Sequence, residues 1–186
     1  MKRTIKLRYI EGLIPESELV LIRDRLSESK IFFEYIDISR EPQASLDEYL
    51  APIILYLSSD ITRAYILGLA TNASYEIIRT CVVNIWRHIS GKKIQKTTPS
   101  GVGTVNANFD LDIDTSGGTR IKFKLKGDIP DSLKEKCVDK AFQLLESQVF
   151  SEIRNGYVCQ YNVDDDEWEI YESLEFVKRF VIPKDG

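Results

Sequence analysis

The segment most informative about the fold is Phe109-Asp-Leu-Asp-Ile-Asp114, which is followed after a short turn by Arg120-Ile-Lys-Phe-Lys-Leu-Lys126. Folding the chain back at the intervening glycines places acidic residues opposite basic ones, as Asp114 with Arg120, Asp112 with Lys122 and Asp110 with Lys124. The same register places apolar residues opposite one another, as Ile113 with Ile121, Leu111 with Phe123 and Phe109 with Leu125. Because two independent patterns require one register, the sequence predicts an antiparallel hairpin with one buried face and one solvent-exposed charged face.

The carboxylates of Asp110 and Asp112 are the candidate metal ligands of this chain, since residues i and i+2 of a strand share one face. Paired carboxylates of this kind can hold Mg²⁺. The preceding Ser100-Gly-Val-Gly-Thr104 resembles the Gly-Ser loop before the Asp-x-Asp of nucleotidyltransferase folds, and that resemblance implies a divergent metal enzyme using the two aspartates. In this chain the Gly-Ser order is reversed, and the next strand carries lysines where a third carboxylate would lie. We therefore interpret the aspartates as members of cross-strand ion pairs, and we assign no metal, cofactor or catalytic residue.

The composition is that of a globular protein, with 43% hydrophobic and 29% charged residues. Residues 1–95 contain 13 basic and 12 acidic residues, and residues 96–186 contain 12 basic and 17 acidic residues. Neither part has the basic excess typical of nucleic-acid-binding proteins, so we expect no nucleic-acid partner. The 3 cysteines are widely spaced and form no Cys-x-x-Cys motif, which favours reduced thiols and a cytoplasmic location.

Alternation and helical periodicity predict an α+β protein in two parts, which either form separate domains or share one core. The first part, residues 1–95, is predicted to contain parallel strands at 4–10 and 31–38 joined by a helix, followed by apolar helices. The first apolar helix is expected from Ser45 to Leu57. The second part, residues 96–186, is predicted to be an antiparallel sheet built as hairpin, helix and hairpin, with the helix packed on one face.

Residues 91–103 lie between these two parts. They are polar and include Gly, Pro and Ser. This composition predicts a linker or a long loop.

The apolar segment 46–89 contains uncharged runs of ten residues from Leu50 and twelve from Ala64. A transmembrane helix needs about 20 predominantly apolar residues. We therefore expect this segment to form buried helices or a helical homo-oligomer interface, and we do not expect it to enter a membrane. A conditional membrane-active effector that exposes these helices is the membrane alternative.

A second acidic cluster, Asp164-Asp165-Asp166-Glu167, is predicted to form the turn of the second hairpin. Seven acidic residues and no basic residue lie between Asp164 and Glu175. The spacing differs from that of an EF-hand loop, so we do not predict a calcium site. An exposed acidic turn can dock a basic protein, and these four residues are the candidate partner-binding residues.

Nucleophilic catalysis has little support in the sequence. His88 is the only histidine, and Cys81 precedes it by two helical turns, or about 10 Å, which is too far for a thiol–imidazole pair. The sequence contains no nucleophile elbow, Walker A loop or dinucleotide-binding motif.

Three functional hypotheses follow. The favoured one is a non-enzymatic cytoplasmic protein that binds a protein partner through its acidic part and self-associates through segment 46–89. The first alternative is the divergent nucleotidyltransferase-like metal enzyme, which would use Asp110 and Asp112. The second alternative is the conditional membrane-active effector.

Overall fold

The computed structural model describes residues 3–39, 53–66, 72–98, 101–115, 117–147, 150 and 156–181. The elements within these ranges are, in chain order, β1 (Thr4–Tyr9), α1 (Glu16–Glu28), β2 (Phe32–Asp37), β3 (Ile53–Leu57), α2 (Ser59–Ile66), α3 (Asn72–Ile89), β4 (Lys93–Thr98), β5 (Gly101–Asn106), β6 (Phe109–Asp114), β7 (Arg120–Leu125), α4 (Asp131–Glu146), β8 (Tyr157–Asn162), β9 (Glu167–Glu172), α5 (Ser173–Phe176) and a π-helical turn (Val177–Val181).

One mixed sheet of seven strands, in the order β2-β1-β3-β6-β7-β8-β9, organises the described chain. α1 connects the parallel strands β1 and β2, and α4 connects the parallel strands β7 and β8. β3 pairs with β1 on one side and with β6 on the other, so the sheet is continuous across both parts of the chain. β4 and β5 form a separate antiparallel pair. The predicted α+β class is confirmed, and so are the parallel strands at the start of the chain.

The main hydrophobic core lies between one face of the sheet and helices α1, α3 and α4. Alternate residues of β1, such as Ile5 and Leu7, are buried together with Leu19 of α1, Trp86 of α3 and Cys137 of α4. Burying these side chains removes apolar surface from water, which supplies the main driving force for folding. We call this side of the sheet the helix face and the opposite side the second face.

The register predicted for the β6–β7 hairpin is confirmed at all six positions, from Phe109 opposite Leu125 to Asp114 opposite Arg120. The apolar members of these pairs lie on the helix face, where Leu111, Ile113 and Phe123 are fully buried. Shifting the register by one residue would turn these side chains toward the second face, which explains why a single pairing is selected.

The helix expected from Ser45 to Leu57 is wrong over its described portion, because Ile53–Leu57 forms strand β3. Residues 45–52 lie outside the described residues. In β3, Ile53, Leu55 and Leu57 are buried on the helix face, while Ile54 and Tyr56 are half-buried on the second face. Both faces of this strand carry apolar side chains, and an apolar run of this kind cannot be distinguished from a helical segment by its periodicity.

The linker or long loop expected at 91–103 is also wrong over the residues that the structure describes. Lys93–Thr98 and Gly101–Asn106 form the antiparallel pair β4–β5. This pair is polar on most positions, so it lacks the alternation of apolar residues from which a half-buried strand is usually predicted.

A small second cluster of apolar residues packs on the second face at its β8–β9 end. Phe176 of α5 is buried against Val158 and Tyr171, and Phe180 and Val181 of the π-helical turn pack against this group. The residues that follow β9 therefore cover part of the face that the main helices leave uncovered.

A close approach between β7 and the residue before β8 requires a glycine. Gly156 has φ +70, and a Cβ placed on it would lie 2.2 Å from the carbonyl oxygen of Arg120. A side chain at this position would collide with backbone and would also strain the left-handed conformation.

No helix among the described residues has the length and apolar character required to cross a membrane.

Candidate functional site

The charged side chains of β6 and β7 form a row on the second face. We call the six residues the charged ladder: Asp110, Asp112, Asp114, Arg120, Lys122 and Lys124. Each acidic residue contacts the basic residue directly opposite it, with nitrogen–oxygen distances between 3.2 and 3.7 Å. The ladder thus contains the cross-strand ion pairs that the sequence predicts.

The prediction that this charged face is exposed to solvent is wrong at one end of the ladder. Asp110 is 1% exposed, Asp112 is 6% exposed and Lys124 is 9% exposed. At the other end, the side chain of Arg120 is 61% exposed. Burial therefore increases along the hairpin from Arg120 toward Asp110, and the ion pairs at the buried end lie where electrostatic interactions are strong.

Asp110 is the most fully compensated acid of the ladder. The ammonium nitrogen of Lys124 lies 3.3 Å from both of its carboxylate oxygens. The ammonium nitrogen of Lys122 lies 3.3 Å from the same carboxylate and 3.7 Å from that of Asp112. Two cations therefore surround one buried carboxylate, which satisfies the requirement that a buried charge be paired.

The negative charge of Asp112 is less well compensated than that of Asp110. Its Oδ1 atom is buried and has no hydrogen-bond partner, and its contact with Lys122 is longer than those of Asp110. Burial raises the pKa of Asp112 above its ordinary value, although the positive charge of Lys122 acts in the opposite direction. Asp112 is thus a carboxylate whose ionised form the fold disfavours.

At the exposed end, Tyr56 of β3 joins the ladder. Its hydroxyl donates a hydrogen bond to Oδ2 of Asp114 at 2.5 Å, while Nε of Arg120 donates to Oδ1 at 3.2 Å. Burial together with the hydrogen bond to Asp114 raises the pKa of Tyr56 to about 12. The phenol stays protonated at neutral pH and therefore acts as a hydrogen-bond donor.

A cavity of about 520 Å³ opens beside the buried end of the ladder, and we call it the ladder pocket. Asp110 and Lys124 line it, together with Phe176 and Phe180 of the small apolar cluster on the second face. Side chains with amide or charged groups complete the polar lining: Asn106, Asn108, Lys126, Asp128 and Gln160. Residues far apart in the sequence therefore converge on one concave site, as is typical of ligand pockets.

The two candidate metal ligands, Asp110 and Asp112, lie on one face as predicted, but lysine ammonium groups contact both carboxylates. Among the described residues, no group of three or more His, Cys, Asp or Glu is arranged to hold a metal ion. The two carboxylates therefore belong to a network of ion pairs with Lys122 and Lys124.

The acidic turn between β8 and β9 contains the four candidate partner-binding residues. Asp164, Asp165 and Glu167 are exposed. Asp166 is instead held against α4, because its carboxylate accepts hydrogen bonds from Lys136 and Tyr161 and its oxygen atoms contact Lys140. These donors hold the pKa of Asp166 well below its ordinary value. One of the four residues therefore has a clear structural role.

His88 and the cysteines contribute no nucleophilic centre in the described part of the chain. Nε2 of His88 lies 3.9 Å from the carboxylate of Glu18. Burial raises the pKa of Cys81 to about 12 and is also the main factor that raises the pKa of Cys137 to about 11. A thiol with a raised pKa is a poor nucleophile at neutral pH.

The polar residues that complete the ladder pocket are missing from the sequence-based candidates. Gln160 lies in the interior of β8, and Asn106 ends β5, so they are distant in sequence from the ladder. Only the parallel pairing of β7 with β8 brings Gln160 beside Lys124. The available signal was Gln160, a polar residue in the otherwise apolar run Tyr157–Tyr161. A polar side chain within such a run indicates a strand position that does not face the hydrophobic core.

Comparison of the chain with protein families, with curated proteins and with solved structures finds no match in any of the three.

Proposed function

We propose that the protein binds a small polar molecule without net charge in the ladder pocket. The observation that carries this proposal is the cavity of about 520 Å³ in which a buried ion pair, side-chain amides and aromatic rings converge. Ligand sites commonly have volumes of about 300–1,000 Å³ and combine apolar walls with a few positioned polar groups. The ladder pocket has both kinds of lining.

The charges of the pocket support an uncharged ligand. The lining contains two acids, Asp110 and Asp128, and two bases, Lys124 and Lys126. Asp110 and Lys124 already contact each other at 3.3 Å, so each largely cancels the field of the other. Such a pair gives little net attraction for an ion, and the side-chain amides of the lining supply hydrogen-bonding groups.

The divergent metal enzyme ranks below this proposal because Lys122 and Lys124 already supply the positive charge that Asp110 needs. A magnesium ion at the same carboxylate would have to displace or repel both ammonium groups. Titration with Mg²⁺ followed by NMR tests the ranking: shifts at Asp110 and Asp112 at millimolar Mg²⁺ would reverse it.

Ligand-observed NMR with a set of uncharged, water-soluble fragments tests the binding proposal. Gln160→Phe introduces a bulky side chain into the lining, whereas Gln143→Phe introduces the same change on an exposed position of α4. We expect fragments that bind the wild type to lose binding in Gln160→Phe and to keep it in Gln143→Phe. Absence of fragment binding at millimolar concentration, or equal binding to both variants, would contradict the proposal.

A second candidate function is binding of a basic protein segment at the end of the second hairpin. It is favoured by an exposed apolar side chain beside the acidic residues of the turn, since Val163 is 46% exposed and directly precedes Asp164. Exposed apolar residues flanked by charges of one sign are typical of protein-binding surfaces. The exposed acids Asp164, Asp165 and Glu167 would attract a lysine- or arginine-rich partner.

Fluorescence anisotropy with a defined lysine-rich amphipathic peptide tests this second function. Asp164→Lys combined with Asp165→Lys should weaken binding at least tenfold, whereas Asp24→Lys combined with Glu28→Lys on α1 should not. Asp166 is left unchanged because it stabilises the turn. Equal effects of the two double variants would show that the peptide responds only to net charge.

We also propose a cytoplasmic location, which is supported by three free cysteines that are all buried. Unpaired thiols are typical of proteins from reducing compartments. Self-association through segment 46–89 stays a prediction, and light scattering tests it: a monomer at high protein concentration would contradict it.

A further inference from the structure

We propose that the ligand of the ladder pocket is an uncharged purine, as the free base or the nucleoside. This inference rests on the ligand-binding function proposed above and specifies the chemical class of the ligand. It is argued from the aromatic wall, the amide groups and the charge balance of the pocket.

The aromatic wall is formed by the half-buried ring of Phe180, which is backed by the buried ring of Phe176 at a centroid distance of 4.9 Å and an interplanar angle of 40°. Both residues line the pocket. Flat heteroaromatic rings stack on aromatic side chains, and this stacking needs no particular base sequence or charge. The wall therefore favours a planar ligand over a flexible aliphatic one.

The side-chain amide of Gln160 supplies a donor and an acceptor to the same pocket. Within the described part of the chain it has no hydrogen-bond partner, so both groups are available to a ligand. A carboxamide presents its donor and acceptor in one plane, and it can pair with the adjacent acceptor and donor at the edge of an adenine ring. Asn106 offers a second amide at the rim of the pocket.

The charge balance distinguishes a nucleoside from a nucleotide. A phosphate group is usually bound by uncompensated arginine, lysine or backbone N–H groups. In the ladder pocket Lys124 is paired with Asp110, and Lys126 shares the lining with Asp128. The lining therefore has no net positive charge to offset a phosphate, and we expect the phosphate of a nucleotide to weaken binding.

Isothermal titration calorimetry with adenine, adenosine, adenosine 5′-monophosphate and ribose tests the inference. We expect adenine and adenosine to bind, the monophosphate to bind more weakly, and ribose to show no binding. Phe180→Leu keeps an apolar side chain but removes the ring, and it should weaken adenosine binding about tenfold. Phe32→Leu, at an exposed position of β2, is the matched control and should leave the affinity unchanged.

Gln160→Ala is the second variant, because its side chain is not part of a core and its loss should leave folding intact. It should also weaken adenosine binding, and circular dichroism confirms that each variant is folded. If uncharged fragments bind in a Gln160-dependent manner but purines do not, the purine inference is wrong and the ligand-binding function stands. If no fragment binds either, both proposals are wrong. Tighter binding of the monophosphate than of adenosine would overturn the nucleoside assignment.

Discussion

The ammonium nitrogen of Lys124 lies 3.3 Å from both carboxylate oxygens of Asp110, and both residues are buried. Removing one member of such a pair leaves a buried charge without compensation, which costs about 3–5 kcal/mol. We therefore expect Asp110→Asn to lower the free energy of unfolding by about that amount, as measured by urea denaturation. Asp114→Asn at the exposed end should cost about 1 kcal/mol or less. Equal losses of unfolding free energy in the two variants would contradict the increase in burial from Arg120 toward Asp110.

Asp112 is expected to make the stability of the protein depend on pH. Since the folded state raises its pKa above the ordinary 3.8, the folded protein binds this proton more tightly than the unfolded chain does. Its contribution to stability is therefore fully present below pH 3.8 and is lost as the pH rises through the raised folded pKa.

Asp112→Asn removes this pH-dependent loss of folding stability, because the amide cannot ionise. Lys122 keeps its 3.3 Å contact with Asp110 in the variant. We expect the variant to be more stable than the wild type at pH 7 by about 1 kcal/mol, with the difference shrinking toward acidic pH. Chemical denaturation at several pH values measures it. A variant that is less stable at neutral pH would show that ionised Asp112 is well compensated.

Gly156 should not tolerate a side chain. Gly156→Ala combines a positive φ with a Cβ placed 2.2 Å from the carbonyl oxygen of Arg120, and we expect a loss above about 2 kcal/mol. Gly12 also has a positive φ, +82, but has open space around it, so Gly12→Ala should cost only about 1 kcal/mol. Thermal unfolding of the two variants separates the collision from the backbone strain. Similar melting temperatures would mean that the strands at Gly156 move apart without cost.

The three cysteines should resist thiol reagents in the folded protein. Burial raises the pKa of Cys81 to about 12 and, as the main factor, that of Cys137 to about 11, and burial also raises the pKa of Cys159. Labelling with an aromatic disulfide reagent at pH 8 should be slow without denaturant and complete in urea. Rapid labelling of a thiol in the fully folded protein would indicate local opening around it.

Asp166 is expected to stabilise the protein above acidic pH. Its lowered pKa means that the ionised form is favoured by folding, so its contribution is present above the ordinary value of 3.8 and is lost as the pH falls through the folded pKa. Asp166→Asn should lower the melting temperature at pH 7, whereas Asp165→Asn, on an exposed neighbour, should not. An unchanged melting temperature for Asp166→Asn would mean that its contacts with α4 contribute no stability.

The β6–β7 register was predictable because charge and apolar pairing both depend on side chains within one short segment. The burial of the charged face was not, since it depends on the flanking strands β3 and β8, which are distant from the hairpin in sequence. An alternating strand has the same pattern whether its polar face meets water or another segment.

The difference between local pattern and long-range pairing also explains why Ile53–Leu57 was predicted to be helical and why Gln160 was not predicted as a pocket residue. Ile53–Leu57 is apolar on both faces, so its local sequence fits a helix as well as a central strand, and only its two neighbours in the sheet decide between them. Gln160 gains its position beside Lys124 from the crossover through α4, which no local pattern reports.

Strand β3 has a further consequence, for the order of events as the chain folds. It pairs with Leu7 and its neighbours on one side, and on the other side Ile53 pairs with Phe109, which is made much later during synthesis. Contacts between residues so far apart slow folding, and a nascent chain that ends before β6 exposes the second edge of an apolar strand. We therefore expect this protein to refold on the slow end of the millisecond-to-second range, and truncated products that end before Phe109 to aggregate.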